Sequence, residues 1–413
     1  MPRNNSFFVF YKESGSKTLN IAGIVAEYNP FHTGHLHHII KTRQLLGRET
    51  AIVCVMSGNY TQRGDFAIFE KHARAQAAVL CGADAVLELP LPWALSSAEG
   101  FAFGAVSILN SLGLITHLSF GSEAGSARPL SRAADFLISG RYDELVRCEL
   151  QKGVSFARAR QQAASHVLGE DAEVLNSPNN ILGVEYIKAL KKLGSSIEPL
   201  TFQRIGAGHD SEELAETASA SKIREMIRNG EDTSKYIPEA AAEVFARETI
   251  SGRGPVFIEN CELAILAALR RMSGRELCAF DSGAEGLGDR LFKAALAEPS
   301  LALIYEKTKT KRYALSRIRR LVMRAYLGVS PDFPQAPPYS KILALNERGR
   351  ALLKNVSGDF MIISRPASGK ALRGMAKRIF ELEALSTDLY ALAYPGQDER
   401  YGGQEYTLGP KII

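Results

Sequence analysis

One stretch, Ile21 to His35, constrains this chain more than any other. The small and apolar residues Ile21–Ala26 run into Glu27-Tyr28-Asn29-Pro30-Phe31, and Leu36–Leu46 follows with a helical pattern. An unbroken apolar run of this length reads as a strand buried on both faces, as in a parallel sheet. Asn29-Pro30 marks a turn. That turn delivers His32-Thr33-Gly34-His35 to the mouth of the helix. Gly34 lets backbone approach a ligand with no Cβ in the way. The first N–H groups of the helix favour an anion, and two imidazoles beside them can donate hydrogen bonds to phosphate oxygens as charge builds in a transition state. The arrangement suits attack on the α-phosphate of ATP. His37 and His38 follow, so zinc has to be weighed, but no carboxylate or thiolate stands at ligand spacing and no metal ligand is expected from the protein. His37 and His38 read as helix surface or packing residues.

Apolar runs and helical patterns alternate beyond this point. Ala51–Met56, Ala85–Leu89, Ile115–Phe120 and Ile197–Ile205 read as strands, separated by helices around Phe66–Leu80, Ser96–Leu112 and Asn179–Lys191. The order predicts an α/β fold with a doubly wound parallel sheet. Ligands of such sheets sit outside the carboxyl ends of the strands, so the loops Glu27–His35, Ser57–Asp65 and Gly121–Glu123 are expected to converge on one crevice. Ser219–Arg228 reads as a helix opening on Ser219-Ala220-Ser221, and 251–255 reads as a linker. The helical patterns after it predict a mainly α C-terminal domain.

His32-Thr-Gly-His35 resembles the HxGH signature of the nucleotidyltransferase superfamily, and Ser219-Ala-Ser-Lys222-Ile-Arg224 resembles its distal motif. The longer string Glu27–His35 resembles the tRNA(Met) cytidine acetate ligase family, as do Met56–Gly64, Phe120–Glu123, Ser177–Gly183 and Arg204–His209. The resemblance covers nearly everything after residue 19. It implies a HIGH-type, Rossmann-like nucleotidyltransferase fold and an ATP site formed by Ile24, Val25, Ala26, Glu27, Tyr28, Asn29, Pro30, Phe31, His32, Thr33, Gly34, His35, Leu36, His37, Gly121, Asn179, Arg204, Ile205, Ser219, Ser221, Lys222 and Arg224. His32 and His35 are the expected catalytic pair.

Several of these positions carry an ordinary alternative. Asn29 is either a turn former or a pocket residue. Glu27 is either a structural acceptor or a group near substrate. The serines are helix caps, a role compatible with facing phosphate. Lys222 and Arg224 are either triphosphate ligands or solvated helix charges, Asn179 is either a cap or a ligand, and Gly121 is either a turn glycine or one cleared for the nucleoside. Lys71 and Arg74, one helical turn apart, either reach phosphate or form a solvated face.

The chain has 413 residues, 46% hydrophobic and 23% charged, and a formal net charge of +5. The length suggests two domains. Residues 1–18 read as an N-terminal extension, 19–250 as the ATP-binding catalytic domain and 251–413 as the helical domain. No apolar run reaches the roughly 18 residues of a membrane helix; no membrane association is expected, and the cytoplasm is the expected location. The five cysteines form no Cys-x-x-Cys pair, which removes zinc knuckles and dithiol redox chemistry. The modest net charge permits a nucleic-acid partner without requiring one.

Charge distribution says more. Lys311, Arg312, Arg317, Arg319, Arg320 and Arg324 cluster in the densest basic segment, interleaved with Tyr313, Leu315, Ile318 and Leu321 at helical spacing. Such a helix packs one face and offers the other to phosphate. The resemblance makes tRNA the expected partner there, remote from the ATP motifs. It further implies acetate activation by ATP, with Mg²⁺ accompanying the triphosphate, and acetyl transfer to the wobble cytidine of elongator tRNA(Met). No obligate protein partner is evident. Two rivals share the motifs: a small-molecule adenylyltransferase of the pantetheine-phosphate or nicotinamide-mononucleotide type, which needs no long C-terminal domain, and a non-catalytic tRNA- or ribosome-associated nucleotide-binding protein.

Overall fold

The computed structural model describes residues 19–154, 156–204, 218–281, 286–356 and 358–413. The N-terminal extension, Ile205 and the glycine-rich turn after it lie outside them. The strands in chain order are β1 (Ile21–Ala26), β2 (Ala51–Ser57), β3 (Tyr60–Thr61), β4 (Asp65–Phe66), β5 (Ala85–Leu89), β6 (His117–Ser122), β7 (Glu198–Gln203), β8 (Tyr339–Leu345), β9 (Met361–Ile363) and β10 (Lys411–Ile412). The main sheet runs β10-β8-β5-β2-β1-β6-β7, with β9 paired to β8. The five consecutive strands β5, β2, β1, β6 and β7 are parallel, as expected.

The β2 sequence shows why these strands are buried on both faces. Ala51, Val53 and Val55 pack with Ile108 and Leu109 of the Ala98–Ser111 helix on one side. Ile52, Cys54 and Met56 pack on the other with Ile39 of helix α1 (Thr33–Leu46) and Ala77 of helix α2 (Lys71–Leu80). With helices on both faces, alternate positions must both be apolar. From β1 the chain winds through β2 to β5, then returns to place β6 on the opposite side of β1. The carboxyl ends of β1 and β6 therefore flank the topological switch point, the usual ligand crevice of such sheets.

Two expectations change. The helix read over Phe66–Leu80 begins only at Lys71; Asp65–Phe66 pairs antiparallel with Tyr60–Thr61 instead. The segment after residue 250 is mainly helical but also supplies β8, antiparallel to β5, along with β9 and β10. In addition, Tyr60, Phe66 and Leu91 share a hydrophobic core with Ile265, Leu291, Ile318 and Tyr390. The break at residue 250 thus divides the chain without separating its cores. Among the described residues no helix is long and apolar enough to cross a membrane.

Candidate active site

His32 ends the turn after β1 and caps α1. Its Nδ1 accepts the Gly34 amide at 3.0 Å, while the His32 amide donates to His35 Nδ1 at 3.2 Å. A capping box usually built from Ser and Glu is here built from two imidazoles. Both Nδ1 atoms are acceptors, so the neutral rings carry their protons on Nε2. The rings lie 3.8 Å apart, centroid to centroid. Gly34 is required by this packing: a Cβ there would fall 2.8 Å from His32 Cε1. Its place is thus filled by the His32 ring, whereas the sequence reading assigned the space to a ligand.

The helix start is not a free anion hole either. Thr33 N donates to Tyr236 O at 2.8 Å, Gly34 N to His32 Nδ1, and His35 N and Leu36 N to His32 O. Every first-turn amide is committed, so the donors still available beside this helix start are side chains: the two Nε2–H groups and nearby guanidinium groups.

Both imidazoles are neutral at pH 7. Burial, then the Arg204 and Arg224 charges, lowers His32 to about 4. Burial, then the neighbouring His32 and Arg204, holds His35 well below the ordinary value. A folded-state pKa below the unfolded value of 6.5 means that the folded protein binds fewer protons. The contribution of His32 to stability is therefore complete above about pH 6.5 and declines as pH falls toward 4. Accordingly, the His32 and His35 ring resonances of the nucleotide-free protein are expected to stay flat in an NMR titration from pH 8 to 5.5. A midpoint near 6.5 for either ring would show it exposed and protonatable.

Arg204 and Arg224 approach the pair from different elements. Arg204 follows β7, and its Nη1 donates to Asn179 Oδ1. Asn179 Nδ2 donates to Glu123 Oε1 at 2.6 Å, and Glu123 Oε2 accepts the Asn180 amide at 2.8 Å. Gly121, at the end of β6, is the one residue that fits beneath Arg204, whose Cγ would lie 2.6 Å from an added Cβ. Gly121, Asn179 and Arg204 are thus brought together at the switch point. On the other side, Arg224 Nη1 donates to Asn29 O at 2.7 Å and Nη2 to Ser221 Oγ at 3.1 Å. Ser219 caps the Ala220–Arg228 helix by accepting Lys222 N at 3.2 Å. The distal motif therefore docks onto the histidine loop through Arg224, while Lys222 is exposed and pairs with Glu225.

Several residues of the expected ATP site are packing or bracing residues. Ile24, Tyr28, Pro30 and Phe31 are buried. Tyr28 and Phe31 pack edge-on against each other and back His35 at ring distances of 4.8 and 5.5 Å. Asn29 Oδ1 accepts the Ile68 amide at 2.7 Å. Glu27 Oε1 accepts the Gln62 amide at 2.6 Å. Val25, Ala26, Leu36 and His37 are partly buried, and His38 bonds Ser119 Oγ at 3.1 Å as a packing residue.

Neither sequence reading of Lys71 and Arg74 describes them, because both are buried. Arg74 donates to the carbonyls of Glu27, Ser57, Gly58 and Phe69. It is the clamp that ties the loops after β1 and β2 together. Lys71 joins a buried ionic network with Glu88 and Glu405, which Lys341 completes at 2.6 Å from Glu405. Glu88, Glu383 and Glu405 converge as a metal site would require, but two ammonium groups already occupy the centre, and the cluster does not fit a dication. Periodicity could not reveal this role, since Glu88 and Glu405 stand 17 and 334 residues from Lys71, on other elements.

The basic segment is not remote from the histidine loop. Its helix, Leu315–Leu327, packs on the Ser57–Asp65 loop: a Cβ on Gly64 would lie 2.4 Å from the Arg320 amide nitrogen. Arg320 Nη1 points to Gln62 O at 3.4 Å, and the Gln62 amide is the donor to Glu27. Lys311 and Arg312 are exposed in the turn before the helix, Arg319 lies over the Tyr305 ring at 5.6 Å, and Arg317, Arg320 and Arg324 share one face.

A paired-histidine turn after the first strand of a doubly wound sheet, docked by a serine-capped helix carrying Arg224, defines a HIGH-type nucleotidyltransferase. The HIGH Nucleotidyl Transferase family model matches residues 19–405. The chain is 36% identical over 410 residues to the tRNA(Met) cytidine acetate ligase of Acetivibrio thermocellus, covering 94% of this chain and 99% of that one. It is 38% identical over 384 residues to that of Caldanaerobacter subterraneus subsp. tengcongensis, covering 90% and 95%. The crystal structure of Thermotoga maritima TmcAL bound with alpha-thio ATP superposes with a TM-score of 0.88 at 33% identity, covering 96% of this chain and all of that one. The chain belongs to the tRNA(Met) cytidine acetate ligase family.

Proposed function

We propose that this chain activates acetate with ATP and transfers the acetyl group to the wobble cytidine of elongator tRNA(Met), in the cytoplasm. The observation that carries the reading is the pair of neutral imidazoles, His32 and His35, flanked by Arg204 and Arg224 at the switch point. In the first step a carboxylate oxygen of acetate attacks the α-phosphorus of ATP and the bond to the bridging oxygen breaks. Pyrophosphate leaves and acetyl-adenylate remains. Preorganised donors that meet charge as it develops lower such a barrier without reorganising. In the second step the exocyclic amine of cytidine attacks the acetyl carbon, AMP leaves, the amine loses a proton and N4-acetylcytidine is formed. The mixed anhydride hydrolyses readily, so water has to be kept out until the base arrives. An anticodon base is single-stranded and can be splayed into such a crevice.

Arg204 and Arg224, with Ser219, Ser221 and Lys222, are the triphosphate ligands of this reading, and Gly121 and Asn179 line the nucleoside side. Mg²⁺ would ride on the phosphate oxygens. The groups around the histidines are mainly donors, and no step is assigned to the ion. The test is isotope exchange between pyrophosphate and ATP: exchange is expected to depend on acetate and to proceed without tRNA. Exchange driven instead by phosphopantetheine or nicotinamide mononucleotide would make the chain a small-molecule adenylyltransferase, and no exchange with any acid would remove the adenylating step.

A further inference from the structure

A second concave site lies beside the Ser57–Asp65 loop and is lined by the Leu315–Leu327 helix. Arg317, Arg320 and Arg324 stand at positions i, i+3 and i+7 of Leu315–Leu327, on one helical face. They border a cavity of about 160 Å³ whose other walls are Leu95, Ser96, Ser97, Phe280 and Asp281. Asp281 holds Arg317 at 3.2 Å. Arg324 Nε is held by Val329 O at 3.2 Å, and Arg320 donates to Gln62 O at a long 3.4 Å. Three guanidinium groups crowd round one partly enclosed space and repel one another, and among the described residues one carboxylate lines it, Asp281, which pairs with Arg317 and whose charge also reaches Arg324. Burial first, then Arg317 and Arg324, pulls Arg320 down to about 10. Such a cluster is relieved by an anion between the groups, and a guanidinium fork matches phosphate geometry. The volume admits a single phosphate group.

The cavity is wired to the histidine loop. Gln62 offers its carbonyl to Arg320, its side-chain amide donates to Ser96 O at 3.2 Å, and its backbone amide donates to Glu27 at 2.6 Å. One residue thus connects the arginine face, the Ser96 wall and the strand end that leads to His32.

We propose that this cavity is a subsite for one backbone phosphate of the RNA substrate, held jointly by Arg320 and Arg324, which registers the nucleic acid against the adenylate crevice. The proposal rests on the tRNA reading above and sharpens it to one site and one phosphodiester. Phosphate contacts fix register without reading sequence, which is what delivery of a particular base to an activated acyl group demands.

The test is tRNA affinity as a function of salt for wild type, Arg320→Gln, Arg324→Gln, the double variant and Ser97→Asp, with Lys377→Gln as a charge-matched control at an exposed position outside the cavity lining. Each neutralised phosphate contact contributes roughly 0.7–0.9 to the slope of log affinity against log salt. Because both arginines hold the same phosphate, the double variant should lose about one contact's worth of slope rather than two, and affinity at low salt should drop by about tenfold or more. KM for tRNA should rise far more than kcat falls. Ser97→Asp keeps a side chain that caps the Ala98–Ser111 helix and adds a carboxylate at the cavity mouth. It should weaken tRNA binding in a protein that melts like wild type, which removes misfolding as the explanation.

Wild-type affinity and slope in both Ser97→Asp and Arg320→Gln would overturn the subsite. So would a variant set that changes only inhibition by free pyrophosphate, which would assign the cavity to the leaving group. A wild-type protein that binds tRNA with no salt dependence would instead overturn the tRNA reading itself.

Discussion

Replacing His32 or His35 by Ala is expected to lower acetyl-adenylate formation by about 10²–10³-fold, the loss typical of one preorganised donor. The loss should appear in kcat, because the proposed role of the Nε2–H groups is to meet charge that develops in the transition state. Two details make this test sharper than a bare deletion. Each histidine also closes the N-terminus of α1, through the Gly34 and His32 amides. Alanine therefore removes a cap as well, at a cost of about 1 kcal/mol. His32→Asn separates the roles: asparagine caps well but places no donor at the Nε2 position. It should melt close to wild type and still be slow. Near-normal acetyl-adenylate formation by the Asn and Ala variants would take the histidines out of the chemistry and leave them as a cap.

The largest expected effect on stability lies elsewhere. Lys71→Met should cost about 3–5 kcal/mol in urea unfolding, since it strands the Glu88 carboxylate in the interior and leaves Glu405 with Lys341 as its one remaining ammonium partner. Burial works against the Lys71 charge, but Glu405 and Glu88 outweigh it and its pKa is raised. Glu405 is likewise buried, and Lys341 and Lys71 hold its carboxyl well below the usual range. The raised lysine contributes stability that is complete below its unfolded value near 10.4 and lost as pH climbs past it. The depressed carboxylate contributes stability that is present above about 4.3 and lost as pH falls. The network should therefore be at full strength between about pH 5 and 10. Glu383 runs the other way: burial and the Glu88 charge lift it to about 8, above its ordinary 4.5, so its share declines as pH rises from about 4.5 to 8. Glu383→Gln should flatten that decline. A loss below about 1 kcal/mol for Lys71→Met would mean that water or rearrangement relieves the stranded carboxylate, and the network would then not tie β5 and β8 together.

How much of this was legible depends on distance along the chain. The parallel strands, the histidine turn and the serine-capped helix are local patterns, and the sequence carries them openly. Arg204 and Asn179 were recognised only through family resemblance, because nothing local ties Arg204 to Asn179 or seats Gly121 beneath it. β8 stayed hidden because Lys341 interrupts its apolar run. In the fold Lys341 is buried, and its charge is answered by Glu405, 64 residues away. Arg74 looked like a helix-surface charge because the carbonyls it clamps, at Glu27 and at Ser57 and Gly58, lie at the ends of two strands that precede its helix. The assumed remoteness of the basic segment failed for the same reason: Gln62 and Arg320 are 258 residues apart in sequence and meet in space. Gly34 was read correctly as a position that tolerates no Cβ, but the group filling the space is the His32 ring.

One measurement bears most directly on the central claim. The protein is incubated with ATP, isotopically labelled acetate and total tRNA, and the tRNA is digested and its nucleosides are read by mass spectrometry. The expected result is label in N4-acetylcytidine from tRNA(Met), with one AMP and one pyrophosphate formed per acetyl group transferred. ATP turnover with no label in any tRNA nucleoside, or label delivered to a small-molecule acceptor instead, would contradict it.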